Sequence, residues 1–215
     1  AWQVRPDWDD LVFPYDFPPE RQPTNLKPRQ RLIGEAEFVP VQNQYGGFVY
    51  AGATMAFTTA YWVLGHYNPR EIAFLGCDMS YPKSSKTHFY GTGTADPLRE
   101  DITLISLEAK AARLYALALA QGCEITNLSQ ETSRLIAPRR SLLEPRPKPF
   151  KIDKVQKAHA LAREQELAYY VASGRYWEEL ERFDIKQIKR LDALWSTVVI
   201  APPQGAVAPM LSHWI

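Results

Sequence analysis

The residues whose types and spacing invite chemistry cluster between Ile72 and Arg99, with a second, shorter group around Asn127. An apolar run, Ile72-Ala73-Phe74-Leu75, stops at Gly76, and Asp78 follows. Beyond a Pro/Lys/Ser spacer come Thr87-His88-Phe89-Tyr90-Gly91-Thr92-Gly93-Thr94. His88 is the residue type that titrates near neutrality and can take a proton from a hydroxyl; the same residue in a loop also serves as a plain solvated hydrogen-bonding group. Asp78, placed just past a strand, can bind a sugar hydroxyl or orient His88, or simply cap loop amides. Tyr81 and Tyr90 can donate to a phosphate oxygen and ease the build-up of charge on a leaving group, the alternative being aromatic packing of the loop. Gly91 and Gly93 offer backbone amides to an anion ahead of a helix, or only loop flexibility. Asn127 and Ser129 close the next strand-like segment and suit ribose or base contacts, or a strand-end turn. Arg134, Arg139 and Arg140 form a modest basic cluster, for a phosphate or for solvent.

These side chains need a scaffold. Glu71 to Gly76 reads as a buried strand and Cys123 to Leu128 as another, with an amphipathic helix from Ile102 to Gln121 between them, capped by Asp101 and stopped by Gly122. A helix joining two strands makes a right-handed βαβ unit with a parallel sheet. Before it, Tyr45 to Gly52 carries a short β-prone run, and Ala53 to Leu64 predicts an apolar helix that Thr54 caps and Gly65 ends. Two crossovers in tandem indicate a doubly wound α/β class: a partial Rossmann-like parallel sheet with flanking helices over residues 46–140. Open sheets of this class bind ligands at the carboxyl ends of their strands, which is where Gly76, Asp78, Asn127 and Ser129 fall.

Residues 1–45 hold Pro6, Pro14, Pro18, Pro19, Pro23, Pro28 and Pro40 among aromatics, a density that predicts an extended arm without long helices. Its Trp2, Trp8, Phe13, Tyr15 and Phe17 predict that the arm lies across a surface, its own or a protein partner's. Residues 141–215 read as a Pro/Arg/Lys-rich linker and a helical C-terminal subdomain: a helix over 153–172, a second over 176–183, and a third from Ile185 to about Val198 capped by Asp184. Its apolar stripe packs on the sheet or on another subunit.

With 215 residues and 46% apolar content the chain can bury a core, and its formal charge of +1 gives no field for gathering nucleic acid. Cys77 and Cys123 lack metal-ligand spacing and read as reduced structural thiols. No run approaches the roughly 18 apolar residues of a membrane span, and Ala1 to Pro6 lacks signal-peptide features, so the expected compartment is the cytoplasm. Metal-binding Cys/His spacing, a nucleophile elbow and a Walker loop are missing from the sequence, which argues against zinc enzymes, serine hydrolases and P-loop kinases.

The order Gly52, helix, Glu71-Ile72-Ala73-Phe74-Leu75-Gly76-Cys77-Asp78, then Thr87-His88-Phe89-Tyr90-Gly91 and a long helix resembles the second half of the bacterial sialyltransferases of glycosyltransferase family 42. Flagellar accessory glycosyltransferase-like proteins and the 6-hydroxymethylpterin pyrophosphokinase-like group share the Gly-x-Asp strand end and the later His-bearing loop. The resemblance spans residues 45 to 140. It implies a modified Rossmann sheet that binds a CMP-sugar without a metal, with His88 as general base and a tyrosine, here Tyr81, supporting the leaving phosphate. Gly76 and Asp78 match the strand-end pair. Ala51 stands where that family has a small hydroxyl residue, Tyr81 is displaced by one residue, and the Pro-rich start holds no counterpart of the family's first strand and phosphate-binding turn. The expectation is therefore either the C-terminal part of a longer protein or a relative without the nucleotide half.

The function this implies is transfer of a sugar from a nucleotide-sugar donor, of the CMP-sialic-acid type, to a glycan or other hydroxyl acceptor, with no separate cofactor. The alternative is a non-catalytic structural component of a phage or cell-surface complex that keeps the scaffold. A third reading is a pterin- or phosphate-handling enzyme on the same fold.

Overall fold

The computed structural model describes residues 10–12, 31–33, 35–80 and 101–201. Within them the protein is a mixed helix and sheet structure built around one parallel strand pair. β3 (Glu71–Phe74) pairs in parallel with β4 (Glu124–Asn127), Glu71 opposite Glu124 and Phe74 opposite Asn127. The connection between them contains α4 (Leu107–Ala120), which packs on β4. Beside β4 the chain returns in parallel for one bridge, Asn127 with Arg139. A parallel pair of this kind needs a crossover, and the sequence supplies one helix long enough for it.

Several local signals hold as written in the sequence. α3 (Met55–Tyr67) starts at Thr54, whose side chain accepts from the Phe57 amide at 3.2 Å, and α6 (Ile185–Ser196) starts at Asp184, which accepts from the Lys186 amide at 2.7 Å. Each cap satisfies one of the amides that a first turn leaves orphaned. α5 (Lys154–Leu167) begins at Asp153 and ends on Ala168 in the left-handed region.

Other expectations need correction. α3 passes through Gly65 and ends at Asn68, with φ of 47°. Gly65 serves packing instead: a Cβ there would stand 2.6 Å from Val41 Cγ1, so the glycine lets α3 approach the segment that holds Val41. α1 (Glu35–Gln44) is itself a helix inside the expected extended arm, with Pro40 in its interior. Burial of Phe38 against Trp62, rings 6.1 Å apart, outweighs the proline penalty on helix propensity. The two short strands that precede it, β1 (Asp10–Val12) and β2 (Arg31–Ile33), pair in parallel.

The β-prone run is α2 (Phe48–Ala51), one buried helical turn, so the first of the two expected crossovers is not present among the described residues. The long helix starts at Leu107 rather than Ile102. Asp101 caps only a 3-10 turn, Ile102–Leu104, by accepting from the Thr103 amide at 2.8 Å, and Ser106 caps α4. The segment 176–183 forms two 3-10 turns in place of a helix.

α4 is the axis of the molecule. One side packs with α3, β3 and β4 in a core that includes Phe57, Tyr61, Leu64, Phe74, Leu114 and Ile125. The other packs with α2, α5 and α6 around Tyr50, Ala160, Ile188, Leu191 and Trp195. The C-terminal helices thus pack on α4 itself. β5 (Lys151–Ile152) and β6 (Val199–Ile200), paired antiparallel, join the start of that helical region to its end.

Candidate functional site

The carboxyl ends of β3 and β4 lie side by side because the strands are parallel and in register. After Phe74 the chain turns outward at Leu75, which is 72% exposed, and then inward through two left-handed residues, Gly76 at φ 69° and Met79 at φ 54°. Gly76 takes that conformation at no steric cost. Met79 holds it as a buried side chain in the core below, the kind of local strain that surrounding packing must enforce. Between them stand Cys77 and Asp78.

Asp78 is fixed from the neighbouring strand. Ser129 Oγ donates to Asp78 Oδ2 at 2.5 Å, and the Arg134 amide donates to the Asp78 carbonyl at 2.8 Å. Ser129 is in turn placed by Asn127, whose Oδ1 accepts from the Ser129 amide at 2.9 Å and whose Nδ2 donates to Ser133 Oγ at 3.1 Å. Arg139 donates to the Ser129 carbonyl at 2.9 Å. The structure therefore brings together Asp78, Asn127 and Ser129, while Gly76 forms the turn two residues before Asp78. Asp78 Oδ1 is buried and has no hydrogen-bond partner among the described residues, so this edge carries one unmatched carboxylate oxygen. Burial, reinforced by Asp78, pushes the Cys77 thiol up, which disfavours the thiolate and any nucleophilic role. Cys77 and Cys123 are both free thiols. Tyr81, His88, Tyr90, Gly91 and Gly93 lie outside the described residues.

The three arginines of the expected basic cluster are each held by the protein. Arg134 makes a two-pronged bond to Glu108 in the first turn of α4, at 2.6 and 2.8 Å, Arg139 binds Ser129 as above, and Arg140 binds Glu71 at 2.7 Å. The Arg134 bond is the main reason that the Glu108 carboxyl sits below its usual range. It also ties the N-terminus of α4 to the strand edge.

A second polar centre went unread in the sequence. Arg113 and Glu164 form a two-pronged pair, Nε to Oε1 at 2.7 Å and Nη2 to Oε2 at 2.8 Å, with side chains 2% and 7% exposed. Arg113 also donates to the Tyr61 hydroxyl at 2.9 Å and the Tyr45 carbonyl at 2.6 Å, while Trp195 Nε1 donates to Glu164 Oε1 at 2.7 Å. Burial would lower the Arg113 pKa, but the adjoining Glu164 charge reverses this and holds it above its ordinary value. Burial also raises Tyr61 to about 12, so its hydroxyl stays neutral. One helical turn earlier, Lys110 Nζ donates to Asp192 at 2.9 Å and to the Val49 carbonyl at 3.1 Å. The available signal was that Lys110 and Arg113 sit in Ala109-Lys110-Ala111-Ala112-Arg113-Leu114, a helix segment with apolar residues on every side and no polar face to carry them.

No family model, curated protein or solved structure matches the chain. Among the described residues no helix is long and apolar enough to cross a membrane.

Proposed function

We propose that the protein is a glycosyltransferase-like enzyme that takes a nucleotide sugar at the carboxyl edge of β3 and β4, on a Rossmann-type sheet that extends this parallel pair. The observation that carries the reading is the Asp78–Ser129 bond between the segments that follow the two parallel strands, with a buried Asp78 oxygen that has no partner among the described residues, at the position where open α/β sheets receive ligands. In this reading Asp78 accepts from a donor hydroxyl, and His88 takes the proton of the acceptor hydroxyl as its oxygen attacks the anomeric carbon. The bond from that carbon to the phosphate oxygen breaks, the nucleotide leaves with the electron pair, and Tyr81 donates to the departing phosphate.

Calorimetry with CMP, UMP and ADP, followed by turnover assays with CMP-sialic acid, tests this. The expected result is nucleotide binding by the wild type and by His88→Ala, with turnover lost in His88→Ala and circular dichroism unchanged. Unchanged turnover in that variant refutes the role of His88, and the absence of binding to any of the nucleotides refutes the enzyme reading as a whole. A second reading, a structural component that retains the scaffold, is favoured by a different observation. Arg134, Arg139 and Arg140 are each bonded to acceptors of the protein itself, which is the arrangement of a self-supporting loop.

A further inference from the structure

A cleft of about 600 Å³ opens beside the second half of α4, at the end of that helix remote from Glu108 and the strand edge. The volume falls within the roughly 300–1,000 Å³ typical of small-molecule sites. Arg113 and Glu164 form its floor, and among the described residues they are the only formally charged side chains that line it. Because each neutralises the other through two hydrogen bonds, the floor presents no net charge. A phosphate, carboxylate or ammonium group entering the cleft would lose its hydration and meet no counter-charge.

The rim has a different chemistry. Gln44, Gln121 and Gln165 all face the cleft. Gln121 Oε1 accepts from the Tyr45 hydroxyl at 2.9 Å, which leaves its amide protons unused by any described residue, and the Gln44 and Gln165 side chains are exposed. A carboxamide offers two donors and an acceptor, the pairing that neighbouring hydroxyls, themselves donors and acceptors, can meet. Tyr45 and Tyr170, the latter 43% exposed, add aromatic surface, and Leu117 and Leu161 add apolar wall. Gly46, at φ 86°, matters by what it lacks. A Cβ there would come within 3.2 Å of Arg113 Nη2 and 3.7 Å of Glu164 Oε2, so the bare backbone keeps that edge of the pair clear on the cleft side.

We propose that this cleft is a binding site for a neutral saccharide, whose hydroxyls pair with the glutamine carboxamides and whose C–H faces lie on the tyrosines. The assignment does not depend on the strand-edge reading. Titration of the full chain with lactose, maltotriose and N-acetylchitotriose, monitored by the side-chain amide NMR signals of Gln44, Gln121 and Gln165, tests it. At least one neutral sugar should shift those signals, and binding should weaken by about tenfold or more in both Ala120→Trp, which fills the cleft, and Tyr170→Ala, which removes its exposed ring. Thermal unfolding of the two variants should match the wild type. The proposal is overturned if none of the sugars shifts the signals at about 20 mM. It is equally overturned if both stably folded variants bind as the wild type does, or if sialyllactose or a proline-rich peptide binds more tightly than every neutral sugar.

Discussion

Replacing Glu164 by glutamine keeps the shape of the side chain and removes one buried charge. In the wild type Oε1 accepts from both Arg113 Nε and Trp195 Nε1, and Oε2 accepts from Arg113 Nη2. A carboxamide has one oxygen, so in either orientation at least one of these donors faces an NH2 group. Arg113 is then a 2% exposed cation whose acceptors, the carboxamide oxygen, the Tyr61 hydroxyl and the Tyr45 carbonyl, are all neutral. Removing one partner of a buried pair costs about 3–5 kcal/mol. At about 2–4 °C of melting temperature per kcal/mol for a chain of this size, that is a fall of about 6–20 °C. Thermal unfolding followed by far-ultraviolet circular dichroism measures it. The double variant Arg113→Met/Glu164→Leu should recover only part of the loss, because it removes the lone charge but leaves Trp195 Nε1 and the Tyr45 carbonyl without these partners. A fall of less than about 1 kcal/mol in Glu164→Gln refutes the view that charge pairing between these two buried side chains holds the network.

Two further outcomes follow from other positions. Glu108 has its folded-state pKa below its ordinary value of 4.5, first because of Arg134, so its contribution to stability is present above that pH and is lost as pH falls through the folded-state value. Glu108→Gln should accordingly lose less melting temperature than the wild type between about pH 6 and pH 3, and equal slopes refute the assignment. Gly174 has φ of 76°, and a Cβ there would stand 2.8 Å from Val39 Cγ2 and 3.0 Å from Phe48 Cε2. Gly174→Ala should cost about 1–3 kcal/mol in urea unfolding, where a neutral result would show that the turn relaxes freely.

What could be read in the sequence was what local chemistry decides. Thr54 and Asp184 were legible as caps because a cap needs only its own first turn. The parallel pairing of β3 with β4, and with it the meeting of Asp78 and Ser129, followed from two strand patterns with one helical pattern between them. What was not legible depended on distant partners. Pro40 within α1 is tolerated because Phe38 packs against Trp62, a contact that propensity does not anticipate. The run Phe48–Ala51 is β-prone in isolation and helical where all four of its residues are buried. The partners of Lys110 and Arg113 could not be named from their own helix, since Asp192 and Glu164 lie 82 and 51 residues further along. The candidate site was half legible: its strand-end residues meet as expected, while its arginines, expected to face a phosphate or solvent, bond within the protein.

The two buried cations of α4 bear on how the chain is made. Synthesis runs from the N-terminus, and domains generally fold in that order. Here β3, α4 and β4 are complete well before Glu164 and Asp192 exist. Until α5 and α6 have been added, Lys110 and Arg113 keep their hydration, and α4 cannot settle into its final packing with both sides dry. In the native protein it is therefore the last two helices, α5 and α6, that supply the carboxylates allowing α4 to carry two buried cations between its two packed sides.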